Sequence, residues 1–464
     1  MIQNIKYIFW GIGKNAHDLL HLIPKKIIAF TVDTNPALHG STWNGLDVCD
    51  FRECLHRIRR GEKKYVFLIT PTRYQDIVTT LQTNGINNYI SVDGFLKQYM
   101  IQMYMNGKNA GTYTSMRKRE ILEKVQHPCY SANVFSVYHI VEVLCGHKVG
   151  VPLNNCLPAE TDLLLVHGIM ANMQNVLYLK EAHTRHISYF FVEDGYLSSI
   201  CPVDAQVEEK FRLRYGLVLG RDNIPINAKV PSDLEYILNS DFSLSKKQTQ
   251  RVKNIIATIR KNCLSKYNYQ TLDKISFPHQ EKKKILVVDQ VYGDKSIEFG
   301  NADEKTFQIM LQAAIDENPD ADIFVKTHPV KQKGHFSTKI VYDNVYMLCG
   351  DINPICLLEE VDKVYVCTSQ MGFEAAFCGK EVHVFGMPFY AGWGITKDRQ
   401  ICNRRRRLRS VEEIFYAAYI LETIYVSHKM KVVCEIEQVV DELIEMRYLF
   451  WSKVKHESNQ NFQS

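Results

Sequence analysis

Short apolar runs alternate with amphipathic stretches along most of this chain. Residues 4–10, NIKYIFW, read as a strand that runs into GIGKNAHDLL, where an amphipathic helix opens at Ala16. KIIAFTVDTNP supplies a second strand ending at Asp33, KYVFLIT a later one followed by a helix through Leu81, and INNYISVDGF closes the unit. This β-α-β alternation predicts a small Rossmann-like domain over residues 1–105. Strand character fades over 101–125, where Gly, Asn, Ser and Lys mark a linker. A second βα series spans 126–275 and includes TDLLLVHG, a helix through Lys180 and the run ISYFFVEDG. The polar helical stretch SLSKKQTQRVKNIIATIRKNCLSKYN leads to HQEKKKILVVDQ, where the charges of Glu281 to Lys284 mark a domain start. The third series, 280–430, runs through ADIFVKTHP, VYMLC, KVYVCTS, the helix MGFEAAFCG and EVHVFG. An amphipathic helix around 431–454 and a polar tail to 464 complete the pattern. No repeat of solenoid period is visible.

Two consecutive βα domains joined by a helical linker are what a GT-B glycosyltransferase requires, with 126–275 as the N-terminal lobe and 280–430 as the C-terminal lobe. In that architecture the ligand lies between lobes, outside the carboxyl ends of the strands. Composition narrows the classes further. A net charge of +5 over 464 residues favours anionic ligands or a membrane surface and is no nucleic-acid signature. No apolar run is long enough to span a bilayer, and MIQNIKYIFWGIGK reads as a first strand rather than a signal peptide. The 13 cysteines show no CxxC pair and no zinc spacing, which argues for reduced thiols and a cytoplasmic protein.

Polar residues that end strands are therefore the candidate chemistry. Glu193-Asp194-Gly195 closes one apolar run. Gln290, Asp294 and Ser296 follow another, Lys326, His328 and Pro329 end a third, and Thr368, Ser369 and Gln370 lead into a helix whose N-terminal amides at Met371 suit a phosphate. Each has a bland counterpart: a solvated turn, a capped loop, an N-cap. Distributed over the strand ends of two lobes, they are better explained as one cleft. In the first domain Gly11, Gly13 and Ala16 fit a GxGxx(G/A) turn with Asp33 placed for a ribose; a fingerprint this short is a weak signal, and a fold relic that binds nothing stands ahead of the candidate nucleotide site. That domain is also similar to the small N-terminal domain of bacterial sugar O-acyltransferases.

The motifs VEDGYLSS, VPSDLEYIL, LSKYN, DQVYGDKSI, NPDADIFVKTHP, SQMGFEAAFCGKEVHVFGMPFYAGWGITKDR and RRRRLRSVEEI occur in an order that resembles bacterial capsule polysaccharide biosynthesis proteins, the KpsC/KpsS-like β-Kdo transferases. The likeness covers residues 160–420. It implies a GT-B enzyme that takes Kdo, a 2-keto-octulosonic acid, from CMP-Kdo and retains β configuration. The acceptor would be lipid or saccharide, as in the oligo-Kdo linker on a lysophospholipid. Carried over by position, Asp194 with Glu193 is the catalytic acidic pair. His328 with Pro329 and Ser369 with Thr368 face the nucleotide phosphate, together with Gln290, Asp294, Lys326, Gln370 and Glu374 on the donor. The donor carries one phosphate, so the transfer requires no metal and no cofactor beyond the donor itself; the candidate nucleotide of the first domain stands apart from it. The implied partners are the donor, the acceptor, capsule assembly or export proteins and the inner face of the inner membrane, with no nucleic acid.

Phe389–Gly394 reads either as a cleft loop or as core packing, and Arg404–Arg407 either as a solvated face or as a site for Kdo carboxylates or anionic lipid. Departures from the family pattern fall at His167, at Ile226-Asn227 with Val230, and at LETIYVSH. These bear on the acceptor and on the choice among CMP-keto-sugar donors. Two further readings compete: a non-catalytic capsule assembly or export component that binds polysaccharide, and a nicotinamide-dependent oxidoreductase centred on Gly11–Asp33.

Overall fold

The computed structural model describes residues 5–60, 64–96, 99, 115–132, 135–168, 172–221, 223–273, 275–327, 334–336 and 342–461. The chain divides into two units. The first comprises 1–107 together with 152–157 and 170–187, and the second comprises the rest. The architecture is mixed α/β of GT-B type, two Rossmann-like lobes preceded along the chain by a small Rossmann-like domain.

In the first unit the strands are β1 (Ile5–Trp10), β2 (Ile28–Val32), β3 (Thr42–Trp43), β4 (Leu46–Cys49), β5 (Lys64–Ile69) and β6 (Tyr89–Ser91). Their order is β3-β4-β2-β1-β5-β6, parallel except for the β3–β4 pair. On one face of the central strands Ile8, Trp10, Phe30, Val32, Phe67 and Ile69 pack with Cys54 and Leu81 from the helices, and Phe9, Thr31 and Leu68 are buried on the other. Helix Met173–Thr184, read from the sequence as part of the second series, belongs with this unit: it packs on helix Lys14–Leu19, and Lys180 Nζ donates to the His21 carbonyl.

In the second unit, β7 (Pro128–Tyr130), β8 (Leu163–His167), β9 (Ser188–Asp194) and β10 (Gly216–Gly220) begin one sheet. The other sheet contains β11 (Lys284–Val288), β12 (Asp322–Lys326), β13 (Val345–Leu348), β14 (Lys363–Val366), β15 (Glu381–Val384) and β16 (Lys397–Asp398). It is parallel throughout, in the order β13-β12-β11-β14-β15-β16. β17 (Thr423–Ser427) and β18 (Val432–Cys434) return to the first of these sheets, whose order is β18-β17-β10-β9-β8-β7. The lobe boundary expected near 430 is therefore displaced: 423–434 add two antiparallel strands to the N-terminal lobe. Helix Ile436–Asn461 follows. Between lobes runs helix Lys246–Lys261, started by a capping box in which Ser245 and Gln248 satisfy each other's backbone N–H. Among the described residues no helix is long and apolar enough to cross a membrane, and no group of three His, Cys, Asp or Glu is placed to hold a metal.

Candidate active site

β9 carries its two acids past the end of its parallel partner. Pairing with β8 stops at Val192 opposite His167, while antiparallel pairing with β10 continues to Asp194 opposite Leu217. Gly195 then turns the chain away at close quarters. Its N–H donates to the Gly216 carbonyl at 2.8 Å, and a β-carbon there would lie 2.9 Å from the Gly216 carbonyl carbon.

Asp194 and Glu193 are adjacent but in different electrostatic surroundings. Arg214, its side chain 4% exposed, donates from Nε to Asp194 Oδ1 at 2.9 Å and from Nη1 to Ser199 Oγ at 2.9 Å. Tyr267 approaches Asp194 Oδ2 at 3.5 Å. Burial opposes ionisation of Asp194, but Arg214 and Lys266 outweigh it and hold the carboxyl below its ordinary value. For Glu193 burial prevails over Lys266, and the charge of Asp194 adds to it, so the carboxyl is raised. Lys266 Nζ lies 3.9 Å from Glu193 Oε1, and that same oxygen accepts the Asp194 N–H at 3.1 Å. The returning segment braces this corner. Burial pushes His428 down to about 4, and its neutral ring donates from Nε2 to the Arg214 carbonyl at 2.6 Å.

On the facing lobe, strand ends gather a second polar set. Thr368 N–H donates to Gln290 Oε1 at 3.0 Å, and Gln290 Nε2 donates to Ser296 Oγ at 3.2 Å. Asp294 is spent as an N-cap, accepting the Ser296 N–H at 2.8 Å. Lys326 is buried, and desolvation lowers its ammonium to about 8 against the pull of Asp351 and Glu374. Glu374 is likewise buried and raised to about 7 by desolvation, although Ser265 Oγ donates to its Oε1 at 2.7 Å and Gln370 Nε2 at 3.1 Å. Gln370 Nε2 also donates to the Tyr196 carbonyl at 2.9 Å. The two sets therefore meet, through Gln370 to the residue after Gly195 and through Glu374 to the residue before Lys266.

His328 and Pro329 lie outside the described residues. The amides at the start of helix Met371–Phe377 are largely occupied: Met371 N–H donates to Ser369 Oγ at 3.2 Å and Gly372 N–H to the Ser369 carbonyl at 3.1 Å. The rings of Phe389, Tyr390 and Trp393 are core rather than cleft wall, while Gly394 at the end of the loop is exposed. Tyr390 and Trp393 are fully buried, and the Tyr390 hydroxyl donates to the Ser369 carbonyl at 2.6 Å, so the loop supports that turn from below. Arg404 and Arg405 pair with buried Glu235, and Arg405 Nη1 donates to the carbonyls of Pro388 and Ala391. Those two arginines fasten the helix Asp233–Asn239 to the loop, while Arg406 and Arg407 remain exposed. In the first unit both carboxylate oxygens of Asp33 accept backbone N–H groups, one from Ile12 in the glycine turn (3.2 Å) and one from Asn35 in its own turn (2.9 Å). Gly11, at φ +93°, passes Thr70 where a β-carbon would lie 2.8 Å from Oγ1, while Gly13 faces open space. Sequence pattern assigns no role to Arg214, Ser265, Lys266 or Tyr267; the motif LSKYN is the one signal that points to the last three.

The family model described as "Capsule polysaccharide biosynthesis protein" matches residues 244–429. The chain is 35% identical over 274 residues to the capsule polysaccharide modification protein LipA of Neisseria meningitidis, a match that covers 56% of this chain and 38% of that one. It is 36% identical over 259 residues to the lipopolysaccharide-processing protein LpsZ of Rhizobium meliloti, covering 54% of this chain and 58% of that one. The matches thus span about two-fifths to three-fifths of these curated relatives. Among solved structures, the Thermosulfurimonas dismutans KpsC β-Kdo 2,4 transferase is similar with a TM-score of 0.62 and 31% identity, covering 69% of this chain and 98% of that one.

Proposed function

Because the chain belongs to the capsule polysaccharide biosynthesis protein family, we propose that it is a glycosyltransferase that moves Kdo from CMP-Kdo to a lipid or saccharide acceptor with retention of β configuration. The observation that carries this reading is the split acidic pair. Loss of CMP leaves cationic character on the anomeric carbon. Asp194, kept anionic by Arg214, is the group to stabilise or trap it, breaking the C–O bond to the phosphate while its own Oδ2 approaches. Glu193, raised from its ordinary value, is the better proton acceptor and takes the hydroxyl proton as the acceptor oxygen bonds to the anomeric carbon and the bond to Asp194 breaks, which releases that carboxylate. The departing phosphate carries its electron pair toward the cations and hydroxyls of the other lobe: Lys326, Thr368, Ser369 and, by sequence position, His328 with Pro329. Gln290 and Ser296 hold Thr368 in register, and Glu374 with Gln370 ties this wall to the acidic one.

The protein as we read it works at the inner face of the membrane. Exposed Ile401 and Leu408 flank the exposed Arg406, with Arg407 paired to Asp241 beside it, and this segment suits an anionic lipid surface. CMP release from CMP-Kdo in the presence of a lipid acceptor tests the activity, and mass spectrometry with NMR of the product tests the linkage. Asp194→Asn should lower turnover by at least about a hundredfold while the fold is kept. CMP release that persists in this variant would falsify the assignment of Asp194, and no release by the wild type with CMP-Kdo would favour another CMP-keto-sugar or a polysaccharide-binding role.

A further inference from the structure

None of the 13 cysteines is joined in a disulfide, and two of them are placed unlike the rest. Cys263 Sγ and Cys356 Sγ lie 2.8 Å apart, much closer than unbonded sulfurs ordinarily pack. Cys263 occupies the left-handed position just past helix Lys246–Lys261, at φ +48°. Its N–H donates to the Arg260 carbonyl and the following Leu264 N–H reaches back to Ile259, a helix ending at which glycine or asparagine is the usual residue. A side chain kept at a strained position points to a use for that side chain. Asn353 holds the two thiols in register: its Oδ1 accepts the Cys356 N–H at 3.1 Å, and its Nδ2 donates to the Cys263 carbonyl at 2.9 Å. Arg447 Nη1 donates to the same carbonyl at 3.0 Å, which sets a guanidinium beside the pair. Both residues are partly exposed, so a small reagent can reach them.

We infer that Cys263 and Cys356 form a modification site, a dithiol that reacts with a small-molecule disulfide and closes into an internal disulfide bridge. The order of events follows from the surroundings. The hydrogen bond from Cys356 lowers the Cys263 thiol to about 7, with burial opposing and Arg447 assisting, whereas Cys356 is pushed far up. Cys263 is therefore the attacking thiolate. Its sulfur bonds to one sulfur of the reagent and expels the other as a thiolate. That thiolate takes the proton of Cys356, whose sulfur then attacks Cys263 Sγ and expels the second small thiolate, which is protonated from solvent. Two protein thiols are oxidised and one small disulfide is reduced to two thiols. The bridge joins the end of helix Lys246–Lys261 to helix Pro354–Glu360 and so restrains the segment that leads directly into Ser265, Lys266 and Tyr267.

Peptide mapping of the full-length protein after exposure to glutathione disulfide tests this without reference to transferase activity. The expected product is a peptide pair linked through Cys263 and Cys356, about 2 Da lighter than the two thiol peptides, formed at least about tenfold faster than any other linked pair. Exposed Cys156 and Cys349 stop at mixed disulfides and serve as internal references. In Cys356→Ser, Cys263 should accumulate as the glutathione mixed disulfide. Backbone hydrogen exchange over residues 262–268 should slow in the bridged wild type. Cys263 and Cys356 still free when Cys156 and Cys349 are fully converted, or Cys263 linked to a different cysteine, would overturn the inference.

Discussion

Two neighbouring carboxyls, Glu193 and Asp194, share a strand end yet are driven in opposite directions, and the difference lies in one arginine fork. The acids themselves were legible, because a buried strand that ends on charge has few bland explanations once other strand ends show the same habit. Arg214 was not: it is remote from Asp194 in sequence and reaches it only because β10 pairs antiparallel with β9. Glu374 permits a quantitative test at the same scale. Its carboxyl is raised to about 7 in the fold against an ordinary 4.5, so the native state favours the protonated form. Folding stability is then undiminished below about 4.5 and declines as pH climbs from there through about 7, by a total on the order of 3 kcal/mol. Glu374→Gln keeps an oxygen to accept from Ser265 and cannot ionise. Its urea midpoint should therefore stay flatter between those pH values than that of the wild type, and parallel profiles would show that Glu374 is not the group responsible.

The element that presents the acids is held by a contact only glycine allows. Gly195 passes Gly216 so closely that a methyl group must push β9 from β10. Gly195→Ala should cost about 1–3 kcal/mol, the range for overpacking a tight site, and should also displace Asp194 from Arg214. Denaturant titration measures the first effect and CMP release the second. An unchanged midpoint would mean that the strand end yields freely. Strand and helix types within both lobes could be read from period and composition, since short apolar runs bounded by polar helices have one economical packing. The return of β17 and β18 to the first lobe could not, because LETIYVSH carries no mark of which sheet edge it joins. The Phe389–Gly394 loop is a similar case. Aromatic rings with glycines suit a sugar cleft and a packed turn equally, and only the burial of Trp393 and the bond from Tyr390 to Ser369 separate the two.

At the scale of the whole molecule, the lipid acceptor proposed above would have to be met without a bilayer-spanning helix among the described residues. Ile401 is 90% exposed and Leu408 85%, the two most exposed large apolar side chains of the described surface. They are not on a loose loop. Arg404 and Arg405 are bound to Glu235, and Arg409 donates to the carbonyls of Leu238 and Phe242, so the segment is anchored from within while its apolar tips face water. Inserting two such side chains into a membrane interface gains about 1.5–3 kcal/mol each, and each basic residue near an anionic surface adds about 1 kcal/mol. Co-sedimentation with vesicles separates the contributions. The double substitution Ile401→Ser with Leu408→Ser should weaken partitioning at least about tenfold on any lipid. Arg406→Gln should weaken it severalfold on anionic vesicles alone, and less as salt is raised. Equal sedimentation of the wild type and the double variant would leave the 401–408 segment without a membrane role, and contact with the acceptor would then have to run through a different surface.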